Sequence, residues 1–115
     1  HKGWNMSDNS FHDIGLDTDD IGRAAWVDND IKMEYAFKTQ GLRDLERRAP
    51  FMHNGALSTI EEVVDHYIAG GVNRPSKSEF IRPLDINAAE RQDLLAFLNT
   101  LTGELSPVVL PVLPR

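Results

Sequence analysis

The chain of 115 residues has no cysteine, no long apolar run and no concentration of positive charge. Without cysteine, disulfides, thiolate metal sites and cysteine nucleophiles are excluded within this chain. The formal net charge of −6 argues against nucleic-acid binding, which needs clustered positive charge against phosphate. No apolar run approaches the roughly 18 residues of a membrane span, so we expect no membrane span.

Regular structure is also scarce in the first half of the chain. Residues 1–56 are punctuated by glycine and by polar clusters, and they show no sustained period. A short helix is expected from Leu42 to Arg48, and Pro50 would end it there. No β pattern or internal repeat stands out.

Two helices are clear further along the chain. The first is predicted to begin at Ser58, with Glu61 at capping-box spacing, and to end at Gly70 and Gly71. Its apolar positions recur at helical spacing. They are Ile60, Val63, Val64, Tyr67 and Ile68.

The second helix is predicted to begin near Asn87, with Glu90 in the matching cap position, and to end at Gly103. One stripe of it carries Leu94, Leu95, Leu98 and Leu101. After it, residues 104–115 are rich in proline and cannot be helical, so an extended tail is expected.

These elements predict an all-α fold with long irregular loops over residues 1–103, followed by the tail. Such loop content is excessive for an ordinary helical bundle. A large embedded cofactor that serves as part of the core would explain it.

Four side chains that can bind a metal lie close together around the first helix, in the stretch APFMHNGALSTIEEVVDHY (49–67). At 100° per residue, Tyr67 lies within about 20° of the apolar stripe at Ile60, whereas His66 points about 120° away and is expected to face water. From the residues alone, the ordinary interpretation of Tyr67 is a core tyrosine whose hydroxyl finds a backbone acceptor. Met52 could simply fill a gap in the core, and His53 could make a local hydrogen bond.

No serine, histidine and acid arrangement at a recognisable spacing suggests a hydrolase, and no glycine-rich phosphate loop is present. The residues alone therefore indicate an acidic, helical domain with a candidate site for a buried ligand.

Five segments in order resemble the C-terminal haem domain of the bacterial di-haem cytochrome c peroxidase and MauG family. They are HKGWNMSDNSFHDIGL, DDIGR, FKTQGLRDLERRAPFMHNG, STIEEVVDHYIAGG and RPLDINAAERQDLLAFLNTLTG. The likeness covers nearly the whole chain up to Gly103. It implies a cytochrome c-like domain that holds one haem c, in a protein with two.

The resemblance also implies the iron ligands. His1 matches the histidine of the family's second CxxCH haem-attachment motif and would be the proximal ligand. The family places its other ligand fourteen positions beyond the histidine that matches His53, which is Tyr67 here. Family peroxidases mostly carry methionine there, whereas MauG-like members carry tyrosine. A hard tyrosine oxygen favours ferric and higher oxidation states of iron.

Further site residues follow from the same resemblance. Met52 and His53 would line the haem pocket, and Arg43 would pair with a haem propionate. The family's calcium between the two haem domains would be held by the backbone carbonyls of Arg48 and Pro50.

The implied function is MauG-like: peroxide-derived oxidising equivalents oxidise a substrate, with protein side chains as one candidate. The alternatives are a di-haem peroxidase that reduces hydrogen peroxide, and a c-type electron carrier ligated by His1 and Met52. A helical binding domain without cofactor is the third reading. The family implies a periplasmic location.

The two cysteines that would attach the haem belong immediately before His1. The domain is therefore expected to be truncated at its CxxCH motif and catalytically incomplete alone. Its expected partners are the N-terminal haem domain, with the missing cysteines, and a redox partner or protein substrate.

Overall fold

The computed structural model of the protein describes residues 1–104 and residue 108. Two α-helices and a two-stranded antiparallel sheet are joined by long irregular segments. The strands are β1 (Phe11–His12) and β2 (Phe37–Lys38), and the helices are α1 (Ile60–Ala69) and α2 (Ala88–Thr100). Three short 3-10 helices span Arg23–Trp26, Ile31–Met33 and Leu45–Arg47.

The prediction of an all-α fold is wrong. In the small sheet, Phe11 stands opposite Lys38 and His12 opposite Phe37. Strands of two residues are too short to show a period-two alternation, so they leave no pattern in the sequence. The predicted helix from Leu42 to Arg48 is likewise reduced to the 3-10 turn Leu45–Arg47.

Helix α1 begins one residue later than predicted. The N-cap is Thr59, whose hydroxyl accepts from the Glu62 N–H while the Glu62 carboxylate accepts from the Thr59 N–H. The sequence STIEE contains the capping-box spacing twice, so the pattern alone could not separate Ser58 from Thr59. The C-terminal prediction is confirmed, because Gly70 caps the helix with φ of 78°.

Helix α2 begins as predicted, with Asn87 as N-cap and Glu90 closing the capping box. It ends earlier than predicted, since Leu101 rather than Gly103 is the C-cap. Leu95 and Leu98 are buried.

The apolar core lies between the two helices. Val64 of α1 packs with Leu95 and Leu98 of α2. Partly buried side chains surround this group: Leu42, Leu45, Ile60, Ile68 and Leu101. Two hydrogen bonds from Arg91 to the Asp65 carboxylate, at 2.7 and 2.8 Å, join the exposed sides of the same helices.

The N-terminal segment crosses close to the end of α1. Gly15 and Gly71 both have positive φ, 68° and 61°. A Cβ atom would come within 2.8 Å of the Val72 backbone at Gly15, and within 2.6 Å of the Ile14 carbonyl oxygen at Gly71. The Val72 N–H donates to the Gly15 carbonyl at 2.7 Å. Two glycines therefore permit the contact that brings the segment after β1, at Ile14 and Gly15, beside the C-terminal end of α1.

The predicted extended tail, residues 104–115, lies outside the described residues except at positions 104 and 108. Among the helices of the described part of the chain, none is long and apolar enough to cross a membrane.

Candidate functional site

A large cavity lies beside the core and opens between the helices and the N-terminal half of the chain. Its volume is about 960 Å³, at the upper end of the range for small-molecule sites. Most of its wall is apolar. The apolar lining includes Ile14, Leu16, Phe37, Leu42, Phe51, Ile60, Val63, Val64, Leu94 and Leu98.

His1 lines this cavity from the start of the chain. Its Nδ1 lies 2.8 Å from the Met6 carbonyl oxygen. Because a carbonyl oxygen only accepts hydrogen bonds, Nδ1 carries the proton and Nε2 keeps its lone pair. A histidine that binds a metal through one nitrogen commonly donates from the other in this way. His1 is thus in the tautomer that metal binding through Nε2 requires.

Tyr67 lines the same cavity from helix α1, as the helix-face argument predicted. The side chain is partly buried, and burial raises the pKa of the phenol above its ordinary value of 10.0. The hydroxyl is therefore neutral at pH 7 in the chain alone. Only a cation within bonding distance would favour the phenolate, as a ferric ion does.

His66 is partly buried and bonded to the backbone, so the expectation of a fully solvated side chain is wrong. Its Nε2 lies 3.0 Å from the Ile14 carbonyl oxygen, and its ring meets the Tyr67 ring edge-on at a centroid distance of 5.6 Å. The segment that Gly15 and Gly71 bring beside α1 supplies this acceptor. Helix phase alone could not reveal it, because the acceptor is 52 residues away in sequence.

Met52 and His53 also line the cavity, and their contact with haem stays a prediction. The His53 ring is stacked on Phe37, with centroids 3.6 Å apart and planes 7° from parallel. Its Nε2 lies 3.6 Å from a carboxylate oxygen of Asp20. The wall of the cavity therefore offers a thioether and a second imidazole in addition to His1 and Tyr67.

Arg43 lies outside the lining residues of the cavity and donates from Nε to the Trp4 carbonyl at 2.7 Å. Arg48 and Pro50 are both part of the cavity wall. No group of three histidine, cysteine or acidic side chains within the described residues could hold a metal ion. A calcium near Arg48 and Pro50 would therefore depend on backbone carbonyls, and its assignment stays a prediction.

Sequence reasoning missed a buried ionic cluster around Asp13, a residue only 1 % exposed. Arg74 donates to both carboxylate oxygens at 2.7 Å, and Ser76 adds a third hydrogen bond at 2.7 Å. Burial opposes the charge of Asp13, but these bonds and one from the Gly15 N–H outweigh it, so the pKa of Asp13 is lowered. The Arg74 guanidinium also lies over the Tyr35 ring, 3.9 Å from its centroid.

A second missed group joins Asp8, His12 and Ser78 at the cavity wall. His12 Nε2 lies 2.7 Å from the Asp8 carboxylate, and Ser78 Oγ lies 3.4 Å from His12 Nδ1. The Ser10 N–H, followed by His12, lowers the pKa of Asp8 and keeps it ionised. The only local signal was the spacing of Asp8 and His12, since Ser78 is 66 residues from His12 in sequence.

Known proteins with similar sequences are named as MauG proteins or cytochrome c peroxidases, although no protein-family model matches the chain. The methylamine utilization protein MauG of Methylorubrum extorquens is 47 % identical over 116 residues, covering 99 % of this chain and 33 % of that protein. MauG of Methylophilus methylotrophus is 37 % identical over the whole chain. The cytochrome-c peroxidase IdrP1 of Pseudomonas sp. strain SCT is 40 % identical over 66 % of the chain.

The chain belongs to the MauG and cytochrome c peroxidase family. The resemblance inferred from the ordered segments is thereby confirmed. A solved structure of this family, a MauG-like protein associated with microbial copper homeostasis, agrees with the fold: the TM-score is 0.70 at 32 % identity, over 82 % of this chain and 35 % of that one. The chain spans about a third of the length of the MauG proteins that it matches.

The cavity fits the haem that membership of the MauG and peroxidase family implies. A porphyrin needs a wide apolar enclosure with one metal donor near each face of the ring. The apolar wall supplies the enclosure, and the His1 imidazole and Tyr67 phenol are nitrogen and oxygen donors on its lining. The attachment cysteines of a c-type haem are the one element that this chain does not contain.

Proposed function

We propose that the chain is the portion of a MauG-like di-haem oxidoreductase that holds one haem c between His1 and Tyr67. The complete protein would use peroxide-derived oxidising equivalents to oxidise a substrate. The main support is that the Nε2 lone pair of His1 and the phenol of Tyr67 belong to residues lining one large apolar cavity.

The haem would supply the iron and the porphyrin over which oxidising equivalents are stored. The chain's own residues would orient and enclose it. Met6 holds the His1 ring through Nδ1, so that Nε2 is the available donor. The apolar wall excludes water and lowers the local dielectric constant, which strengthens the attraction between a phenolate at Tyr67 and ferric iron.

The choice of tyrosine favours the MauG-like function over simple electron transfer. A hard, anionic oxygen stabilises ferric iron and higher oxidation states, whereas a thioether stabilises ferrous iron and raises the potential. A haem ligated by Tyr67 would thus suit the sharing of oxidising equivalents with a second haem. The substrate oxidised by the complete protein, protein side chains included, is part of this proposal.

One observation favours a second function, in which Met52 is the iron ligand. Met52 lies on the wall of the same cavity as His1. A His1 and Met52 haem would make the protein an electron carrier of high potential. The two assignments predict opposite effects of mutating Met52 and Tyr67.

The remaining parts of the complete protein follow from the same proposal. The cysteines for covalent attachment, and the second haem, would come from an N-terminal haem domain, and a c-type haem protein of this family would be periplasmic. Backbone carbonyls of Arg48 and Pro50 would contribute to a calcium site between the domains. His53 would contact the haem edge, and Arg43 would reach a propionate only after leaving the Trp4 carbonyl.

The test is a set of variants of the full-length haem protein. Tyr67→Phe should abolish the tyrosinate signature in the resonance Raman spectrum of the ferric protein. Tyr67→Met should raise the potential of this haem, because a soft ligand replaces a hard one. Haem content should stay unchanged, since the cysteines attach the haem.

Matched controls separate the two assignments. The chain has one other tyrosine, Tyr35, which lies under Arg74, so Tyr35→Phe should leave the spectrum unchanged. Met52→Leu should also leave the iron ligands unchanged. Loss of a methionine-ligated spectrum in Met52→Leu, with a normal spectrum in Tyr67→Phe, would reject the tyrosine assignment and favour the electron carrier.

A further inference from the structure

Two polar side chains stand between the large cavity and a smaller one. His12 and Ser78 line the large cavity, and both also line a second cavity of about 310 Å³. The second cavity is bordered by the exposed charged residues Lys32 and Glu79. His12 and Ser78 thus contact both a large apolar cavity and a smaller space that charged, exposed residues border.

The orientation of the His12 ring is set from one side. Because a carboxylate held ionised only accepts hydrogen bonds, His12 donates from Nε2 to Asp8, at 2.7 Å. The neutral ring therefore has its lone pair on Nδ1. The Ser78 hydroxyl, 3.4 Å from Nδ1, is the neighbouring donor.

We propose that Asp8, His12 and Ser78 form a proton-transfer chain between the large cavity and the second cavity. This inference rests on the proposed function, because it gives the haem cavity its exchange of protons with solvent. Ser78 and His12 carry the proton, and Asp8 is a positioning residue that fixes the tautomer of His12.

The step conserves protons. An acidic hydroxyl group in the large cavity, such as water or a carboxylic acid, transfers a proton to Ser78 Oγ while the Ser78 O–H bond breaks and an N–H bond forms at His12 Nδ1. The resulting imidazolium is stabilised by the Asp8 carboxylate. It then loses the Nδ1 proton to water in the second cavity. The neutral ring and the serine hydroxyl are restored.

Charged residues lie on or beside the elements that pack against β1. They are Asp8, Asp13 with Arg74, Lys38 of β2, Lys32 of the second 3-10 helix, Arg23 over the Phe11 ring, and Glu79. Of these, Asp8 makes a direct hydrogen bond to the His12 ring. Asp13 is already neutralised by Arg74, and the other charged side chains are exposed, so water screens them.

The equilibrium test is the midpoint potential of this haem as a function of pH, measured on the full-length haem protein. A protonated His12 raises the potential, because positive charge near the cavity favours the reduced iron. The wild-type potential should therefore fall through one step as pH rises. His12→Gln, whose amide can still donate to Asp8, should remove that step.

The kinetic test uses Ser78→Ala and a pH jump followed in the haem spectrum. Removing the hydroxyl should slow the spectral relaxation by roughly tenfold or more, on the scale of lost proton-transfer catalysis, while the equilibrium potentials stay as in the wild type. Ser58→Ala is the control, since Ser58 is exposed and lies outside both cavities.

The outcomes separate this inference from the function on which it rests. A pH step that persists in His12→Gln, or an unslowed relaxation in Ser78→Ala, would overturn the proton-transfer chain even with haem and Tyr67 ligation intact. A full-length protein that binds no haem, or whose spectrum lacks the tyrosinate signature, would overturn the proposed function itself.

Discussion

At the scale of single residues, sequence could locate a side chain in the fold only where a local signal or a family position pointed to it. Tyr67 satisfied both conditions, through the phase of α1 and through the resemblance. Asp13 satisfied neither, because its partner Arg74 is 61 residues away. The Asp13 and Gly15 spacing predicts a local turn but says nothing of a distant guanidinium.

Asp13 gives a prediction at this scale. Asp13→Asn leaves the largely buried Arg74 guanidinium without its charged partner, so the free energy of unfolding at pH 7 should fall by about 3 kcal/mol. Urea unfolding of the intact protein measures this. Asp65→Asn is the matched control: it removes an equally close pair, with Arg91, but an exposed one, so it should cost much less.

The ion pair of Asp13 with Arg74 also makes the free energy of unfolding depend on pH. The pKa of Asp13 in the folded protein is below the ordinary 3.8, so its stabilising contribution is complete above that pH and is lost as pH falls through the folded value. Below pH 3.8, the difference in the free energy of unfolding between Asp13→Asn and the wild type should therefore become smaller. A constant difference down to acid unfolding would contradict the assigned role.

At the scale of elements, helices were predictable and strands were not. The apolar repeats and glycine stops located α1 and α2 to within three residues, because both signals are local. The sheet depends on two dipeptides that meet only after the chain has folded back between them. Long-range pairing of so few residues leaves no periodic trace in the sequence.

The capping residue of α1 gives a prediction at this scale. Thr59→Ala should lower the free energy of unfolding by about 1 kcal/mol, because the Glu62 N–H loses its acceptor. Ser58→Ala should change it little, since the Ser58 backbone N–H still donates to Glu62. Chemical denaturation of both variants measures the difference. A larger loss in Ser58→Ala would mean that the helix begins one residue earlier.

At the scale of the whole molecule, the apolar core is small for the space beside it. Five hydrophobic residues in the described part of the chain are buried: Leu16, Ala36, Val64, Leu95 and Leu98. They stand against a cavity of about 960 Å³. A filled cavity would complete this core, which agrees with the expectation from loop content that a cofactor takes the place of apolar side chains.

Removal of the haem is the corresponding prediction. A full-length variant in which serine replaces the two cysteines that attach this haem should lose the haem. Residues lining the cavity should then exchange amide hydrogens faster than in the wild type. The reason is that a ligand bound only by the folded state stabilises that state. Exchange in the other haem domain is the internal control. Unchanged protection around the cavity would show that the fold does not depend on the cofactor.

The most direct test of the proposed iron ligands is the crystal structure of the full-length, haem-containing protein in its ferric form. We predict that the iron is bonded to His1 Nε2 on one side and to the Tyr67 phenol oxygen on the other. The His1 Nδ1–H should still donate to the Met6 carbonyl oxygen. An iron bound by Met52 sulfur, or a Tyr67 oxygen out of bonding distance of the iron, would contradict this prediction.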